Sequence, residues 1–450
     1  MPGVVAPGGG SWTVWGSGMP QETFGRPVVV VDGCRTPFCK AGTSLSDMTP
    51  VQLGTVAVRE LLARTELSGD EVDELVYGTV VPSILAPNVA REVGLSAGLP
   101  PSVPAFTVGR ACASSSQAIT SAAETIARGY ADVIVAGGVE ILSDVPMLLS
   151  KRLRNALAAA AKARRMPDRL RALAGVRPRD LAPTVPAIAE PSTGETMGQS
   201  AERMAKENGI SREAQDRWAL RSHRLASQGT VDGRLRQEIV PTYVPPAFET
   251  VVTDDNGIRA DTSLEKLASL PPVFDRRYGS VTAGNASPLT DGASAVLVMS
   301  EDRARSLGYE PLGWIRSWAY SALSPADQLL QGPAFAAPVA LDRAGIDMRD
   351  IELWEMHEAF AAQVLSNLQA LDSDDFARTR LGRDRKVGIP EEDVINVMGG
   401  SIAIGHPFGA TGARLTITLL REMRRRSAAL GLVTVCAAGA MGFAMVLERR

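Results

Sequence analysis

GLVTVCAAGAMGFAMVLE, Gly431 to Glu448, reads as a β-branched strand, a turn of small residues and a second strand. ADVIVAGGVEIL, Ala131 to Leu142, has the same plan in the first half of the chain. A Gly- or Ser-rich turn leading into a long helix of small and aliphatic residues lies around Cys112 in one half and around His406 in the other. A duplicated α/β unit with chemistry at its junction is the economical reading.

Working outward, RPVVVVDG (Arg26 to Gly33) has the continuous apolar character of a buried strand, and VQLGTVAVRELLART after it has helical spacing. ELVYGTVV and GASAVLVMS repeat the short apolar runs, and IELWEMHEAFAAQVLSNL does so in the last third. This alternation argues for mostly parallel sheets covered by helices. Pro146 to Phe274 differs in composition. Its residues 151–180 carry ten Lys/Arg against Asp168 and Asp180, and Leu149, Leu153 and Leu157 fall on one helical stripe that Pro167 interrupts. A solvated face, an anionic lipid surface, a partner subunit and the phosphates of a nucleotide-bearing substrate all suit such an element.

At 450 residues the chain exceeds one ordinary core. Apolar residues at 45%, with 42 glycines and few aromatics, suit a closely packed α/β protein. A formal charge of −3 argues against non-specific nucleic-acid binding. The four cysteines, at 34, 39, 112 and 436, are too few and scattered for a disulfide framework, and Cys34 and Cys39 lack the second pair of a structural zinc site. A reducing cytoplasm is the expected compartment. Residues 1–25 read as a loose tail without the plan of a signal peptide, and no apolar run is long enough to span a membrane.

Cys112, in VGRACASSSQAITSAAETIARG, sits before or in the first turn of a helix whose buried face is Ile119, Ala122, Ala123, Ile126 and Ala127. The free N–H groups and positive dipole end there favour an anion, so the thiol is expected to ionise more readily than usual; on this segment alone, a small buried hydrophobe is the better reading. Three histidines can supply a base. His223 lies in an Arg-rich polar helix and reads as structural or surface. His406, in SIAIGHPFGATGAR, is framed by Gly405, Pro407, Gly409 and Gly412, which suits a placed side chain; a phosphate loop would need a Lys-Ser/Thr pair that is missing. His357 follows the strand IELWEM and opens a helix, with Glu358 beside it as a capping residue. Cys436 ends the strand GLVTV. Two thiols and two imidazoles, each at a sharp turn, form a constellation that no member makes alone.

From about Arg26 to Arg450 the sequence resembles the thiolase family, through GRACASSSQAI (109–119), SVTAGNASPLTDGASA (280–295), HEAF (357–360), GHPFGATGAR (405–414) and CAAGAMG (436–442). It is most similar to the β-subunit type of the fatty-acid oxidation trifunctional enzyme and its bacterial relatives. His rather than Asn heads the third motif, and the basic insertion ends in AEPSTGETMGQSAE. The resemblance implies two similar α/β halves with mixed sheets in an αβαβα layering, 26–149 (completed by 275–300) and 301–450, with an inserted loop domain over 150–274.

It further implies that Cys112 attacks a 3-ketoacyl-CoA after losing its proton to His406, and that Cys436 protonates the departing acetyl-CoA and then activates CoA. His406 and His357 would meet the enolate oxygen, the backbone N–H groups of Cys112 and Ala438 the tetrahedral oxyanion, and Met197 and Ser287 the pantetheine and acyl chain. Ala438 and Ala440 stand where relatives have Gly, and His357 could itself titrate. The implied activity is acetyl-CoA C-acyltransferase in β-oxidation, with CoA as substrate and no cofactor or metal. Homodimers or homotetramers are implied, with a hydratase/dehydrogenase α subunit or a membrane surface as further partners. A biosynthetic acetoacetyl-CoA thiolase would use the same residues in reverse. A ketoacyl synthase would lack Cys436, and a non-catalytic CoA-binding scaffold could dispense with either thiol.

Overall fold

The computed structural model describes residues 25–182 and 189–450; the tail expected over residues 1–25 thus lies, but for Gly25, outside the described residues. Among the described residues twelve strands run in chain order: β1 Val28–Arg35, β2 Cys39–Lys40, β3 Glu74–Gly78, β4 Ala105–Val108, β5 Val133–Glu140, β6 Thr242–Val244, β7 Thr250–Val252, β8 Thr290–Ser300, β9 Gly313–Ala322, β10 Leu353–Met356, β11 Leu430–Ala437 and β12 Met441–Glu448.

The first half orders its strands β4-β3-β5-β8-β1, and the second β10-β11-β12-β9. Ile395 adds a parallel bridge outside β10, at Trp354, where β4 stands beside β3 in the first half. In both halves the pairing is parallel up to β5 or β11 and antiparallel from there to β1 or β9. Gly431–Glu448 forms a strand, a turn and a strand, whereas Ala131–Leu142, read as the same plan, holds one continuous strand, β5, whose ladder with β8 runs unbroken through Gly137 and Gly138; the duplication is instead a repeated topology. The sheets are mixed, not mostly parallel as helix-strand alternation suggests. The long segment 141–289 returns β8 antiparallel to β5, and the short turn 438–440 returns β12 antiparallel to β11. β1 and β9 pair at Val29–Trp314 and Val30–Gly313, joining the two sheets.

Burial alternates along the strands because successive side chains face opposite layers. Val28, Val30, Ile134, Val296, Val433, Val435 and Phe443 share one core with the helices Ser114–Ala127 and Thr411–Arg426, which lie between the sheets. Val29, Val31, Val135 and Leu297 face the helices Pro50–Thr65 and Val89–Ala97. Trp354, Met356, Leu432 and Val446 face Gly332–Ala344 and Ala361–Leu371. The result is an αβαβα layering. Leu415, Ile417, Leu419, Leu420 and Met423 of the central helix are all at most 1% exposed, each burial stabilising by about 1.5–3 kcal/mol.

The two central helices approach closely at their N-termini because small residues face each other there. A Cβ on Gly412 would collide with Ser116, and the Ser115 hydroxyl accepts the Ala413 N–H at 2.9 Å. An orphan donor of one half is thereby satisfied by the other. Both functional turns are brought to this point.

Between β5 and β8, the basic segment forms two short helices, Lys151–Lys162 and Met166–Leu173, in which no residue is buried. Pro167 starts the second helix instead of breaking a longer one, and Leu149 precedes the first, so the single stripe is not formed. Beyond them, Met197–Glu207 and Arg212–Val231 carry buried faces. Among the described residues no helix is long and apolar enough to cross a membrane.

Candidate active site

Cys112 lies two residues before the central helix Ser114–Ala127, in a turn held by Ser114, whose hydroxyl accepts the Arg110 N–H (2.8 Å) and donates to the Ala111 carbonyl (2.7 Å). Ala111 is held in the left-handed region, φ 46°, directly before the thiol. His406 lies in the turn that opens the other central helix. Gly405, at φ 114° and with Thr290 2.6 Å from where a Cβ would sit, admits no side chain.

The two residues meet: His406 Nε2 is 3.1 Å from Cys112 Sγ. On the far side of the ring, Nδ1 lies 2.6 Å from the Thr411 hydroxyl, which donates its single proton to the Pro407 carbonyl at 2.8 Å. Thr411 can then only accept from Nδ1–H, so the neutral ring presents a lone pair at Nε2. Burial, with Arg414 next, holds the imidazole down at about 3, so that it is neutral and ready to take a proton.

The Cys112 thiol departs from the expectation of ready ionisation. Desolvation pushes it up to about 12, against hydrogen bonds to its sulfur from the backbone of Ala438 and of Cys112 itself. Loss of water outweighs the helix terminus, and the Glu140 carboxylate opposes ionisation further. The resting pair is thiol and neutral imidazole. The two N–H groups at the sulfur also mark where an oxygen on an attacked carbon would be met.

His357 follows β10 and is fully buried, its ring centroid 4.1 Å from that of His406. Burial, then His406 and Arg414, hold it well below the usual range, so it does not titrate near neutrality as its residue type suggests. Its Nδ1 is 2.9 Å from the Ser401 hydroxyl, which accepts from Arg414 at 2.9 Å. With Arg414 occupying one lone pair, the serine hydroxyl can donate its proton to Nδ1, which puts N–H at Nε2, or accept from Nδ1–H, which leaves a lone pair at Nε2. That nitrogen finds no partner among the described residues. Glu358 does not cap the next helix, which begins at Ala361 with Phe360 as its cap. It accepts instead from Trp218 (3.0 Å), Ser222 (2.7 Å) and Asn396 (2.8 Å), tying the loop before Ser401 to the loop after His357.

Cys436 is 1% exposed near the end of β11. Burial raises its thiol well above the ordinary range, and Cys112 is near enough to raise it further. Its turn is held by Glu190, which accepts the Gly439 N–H at 2.8 Å. Ala438 has no positive φ, so a side chain is tolerated there; Ala440 has φ 55°, the conformation that glycine adopts without strain. Met197 packs on the apolar cluster containing Cys436, Ala359 and Ala362. The Ser287 N–H donates to the Ala359 carbonyl at 2.9 Å, on the same side of the site.

Sequence reasoning missed the supports. Thr411 and Arg414 stand within GHPFGATGAR, but His406 lies five residues before Thr411 and outside the helix that begins there, so no helical spacing marks the pair. Glu140 accepts the N–H groups of Val80, Val81 and Gly409 at 2.9–3.0 Å, binding the His406 turn to two strand ends; nothing local in sequence marks it. His223 is structural as expected but buried, accepting the Arg259 N–H at 3.2 Å. Cys34 and Cys39 are buried free thiols.

Residues 28–302 match the thiolase N-terminal domain and residues 309–449 the thiolase C-terminal domain. The chain belongs to the thiolase family. The 3-ketoacyl-CoA thiolase of Yersinia pestis (strain Pestoides F) is 50% identical over 424 residues, 94% of this thiolase and 97% of that protein. The Bacillus anthracis acetyl-CoA acetyltransferase superposes with a TM-score of 0.80 at 33% identity, covering 94% of this chain and 98% of that one. Human mitochondrial 3-ketoacyl-CoA thiolase in complex with CoA also gives 0.80, at 31% identity and the same coverage. As a thiolase the chain is an acyltransferase.

Proposed function

We propose that this thiolase cleaves 3-ketoacyl-CoA with CoA, giving acetyl-CoA and an acyl-CoA two carbons shorter, in fatty-acid β-oxidation. The observation that carries the reading is the Cys112–His406 pair, 3.1 Å apart, with the ring lone pair turned to the thiol by Thr411. Cys112 gives its proton to His406 Nε2 as sulfur attacks C3, and the oxyanion meets the N–H groups of Cys112 and Ala438. The C2–C3 bond breaks. The acetyl-CoA enolate oxygen meets protonated His406 and the Nε2–H of His357, and the Cys436 thiol protonates C2. After acetyl-CoA leaves, the Cys436 thiolate takes the proton of CoA, whose sulfur attacks the acyl-enzyme; His406 returns its proton to Cys112. Met197 and Ser287 line the pantetheine and acyl path.

The units this reading assigns are halves 26–149, completed by 275–300, and 301–450, around the insertion 150–274. Exposed Leu157, Met166 and Leu170 among eight basic residues support contact of the helices Lys151–Lys162 and Met166–Leu173 and their connection with an anionic surface, either lipid or a hydratase/dehydrogenase partner. The protein is assigned to the cytoplasm as a homodimer or homotetramer. Following loss of 3-ketoacyl-CoA enolate absorbance with CoA, from acetoacetyl-CoA to long chains, tests the activity. Absence of turnover at every chain length would overturn it.

A further inference from the structure

We infer that Cys112, His357 and His406 form a three-ligand site for a thiophilic divalent cation such as Zn2+, and that occupancy silences the nucleophile. One ligand atom from each of the three lies within 4.8 Å of the other two. A tetrahedral ion bound at about 2.0–2.3 Å needs its ligand atoms roughly 3.3–3.8 Å apart. The Cys112–His406 pair, at 3.1 Å, needs to open by only a few tenths of an ångström to reach that spacing. His357 Nε2, buried and unpartnered among the described residues, is the third donor.

Supporting groups suit the ion as well. Thr411 holds the proton on Nδ1 of His406, leaving Nε2 free to ligate. Ser401 can accept from Nδ1 of His357 as readily as donate to it, so a turn of its hydroxyl exposes the lone pair at Nε2. The Glu140 carboxylate is near enough to act on the Cys112 sulfur and offsets the ion's charge, which Arg414 opposes. Binding replaces S–H by S–metal and releases one proton to solvent, with no change of oxidation state. A fourth position stays open to water or a thiol. Asn in place of His357 would remove a good ligand for such an ion, since an amide oxygen suits harder cations. The ion is an inhibitor of the site, not a participant in its chemistry, and the inference depends on the three side chains, not on the reaction assigned to them.

Chelator-treated full-length protein titrated with Co2+ tests it. The expected result is one ion per chain, a thiolate-to-cobalt charge-transfer band with tetrahedral visible bands, one proton released, and protection of Cys112 from iodoacetamide. Cys112→Ser should abolish the charge-transfer band while Cys436→Ser keeps it. His357→Asn and His357→Gln should each weaken binding by roughly tenfold or more with native circular dichroism. No binding at millimolar Co2+, a charge-transfer band that survives Cys112→Ser, or unchanged affinity in both His357 variants would overturn the site. Zn2+ should inhibit turnover reversibly if the activity is as proposed; a silent enzyme that still binds Co2+ through Cys112 separates failure of that reading from failure of this one.

Discussion

The Thr411 hydroxyl, 2.6 Å from Nδ1 of His406, spends its own proton on the Pro407 carbonyl and so decides which ring nitrogen is basic. Thr411→Val should lower kcat/KM by about 10- to 100-fold, the cost of an unsatisfied buried N–H and a mixed tautomer population, with KM little changed. Thr411→Ser should restore most of the loss. Steady-state kinetics of the two variants checks this, and an unaffected Thr411→Val enzyme would refute the tautomer argument.

The thiols should separate by role. Cys436→Ser is expected to cut turnover by about 10²- to 10⁴-fold while Cys112 remains open to alkylation and to acylation by substrate. Cys112→Ser should lose the acyl-enzyme altogether. Intact-mass spectrometry after a pulse of 3-ketoacyl-CoA distinguishes them; equal loss of acylation in both would reverse the assignment.

Because His406 is held down at about 3 and Cys112 up at about 12, neither titrates near neutrality. A base with a lowered pKa is lost only as pH falls through that value, and a thiol with a raised pKa ionises only as pH climbs through its own. The rate of Cys112 alkylation by iodoacetamide should therefore show no inflection between about pH 5 and about pH 9. A plateau with a midpoint in that window would indicate a preformed thiolate–imidazolium pair.

Ala440 at φ 55° occupies a conformation that costs an L-residue roughly 1–2 kcal/mol, while glycine carries a backbone entropy cost of roughly 0.5–1 kcal/mol. Ala440→Gly is expected to stabilise the protein by up to about 1 kcal/mol in urea unfolding. Destabilisation would show that the methyl group contributes more through packing.

The helices Lys151–Lys162 and Met166–Leu173 leave Leu157, Met166 and Leu170 exposed beside basic residues. Sedimentation with anionic vesicles should be strong at low salt, weaken at high salt, and fall with Leu157→Ser/Leu170→Ser. Binding to a hydratase/dehydrogenase subunit without vesicle binding would select the protein partner instead.

Much of this was legible in the residues. The similar apolar runs ending in small residues at Ala131–Leu142 and Gly431–Glu448 pointed to the duplication, since hydrophobic pattern is a local property, although only the second of them turns; the first is one continuous strand. Cys112, His357, His406 and Cys436 stood out because each sits at a turn where a core residue has no reason to be. The parallel or antiparallel sense of the strands was not legible, because it depends on where long connections return. Nor was the ionisation of Cys112: a helix terminus is visible in sequence, but the desolvation that overrides it comes from burial in the assembled fold, where Glu140 further disfavours the thiolate and the backbone N–H of Ala438, more than three hundred positions away, favours it. The pattern of residues alone determined which side chains could do chemistry; only tertiary packing, by excluding water and orienting Thr411 against His406, decided their protonation and hence which can act as acid, base or ligand.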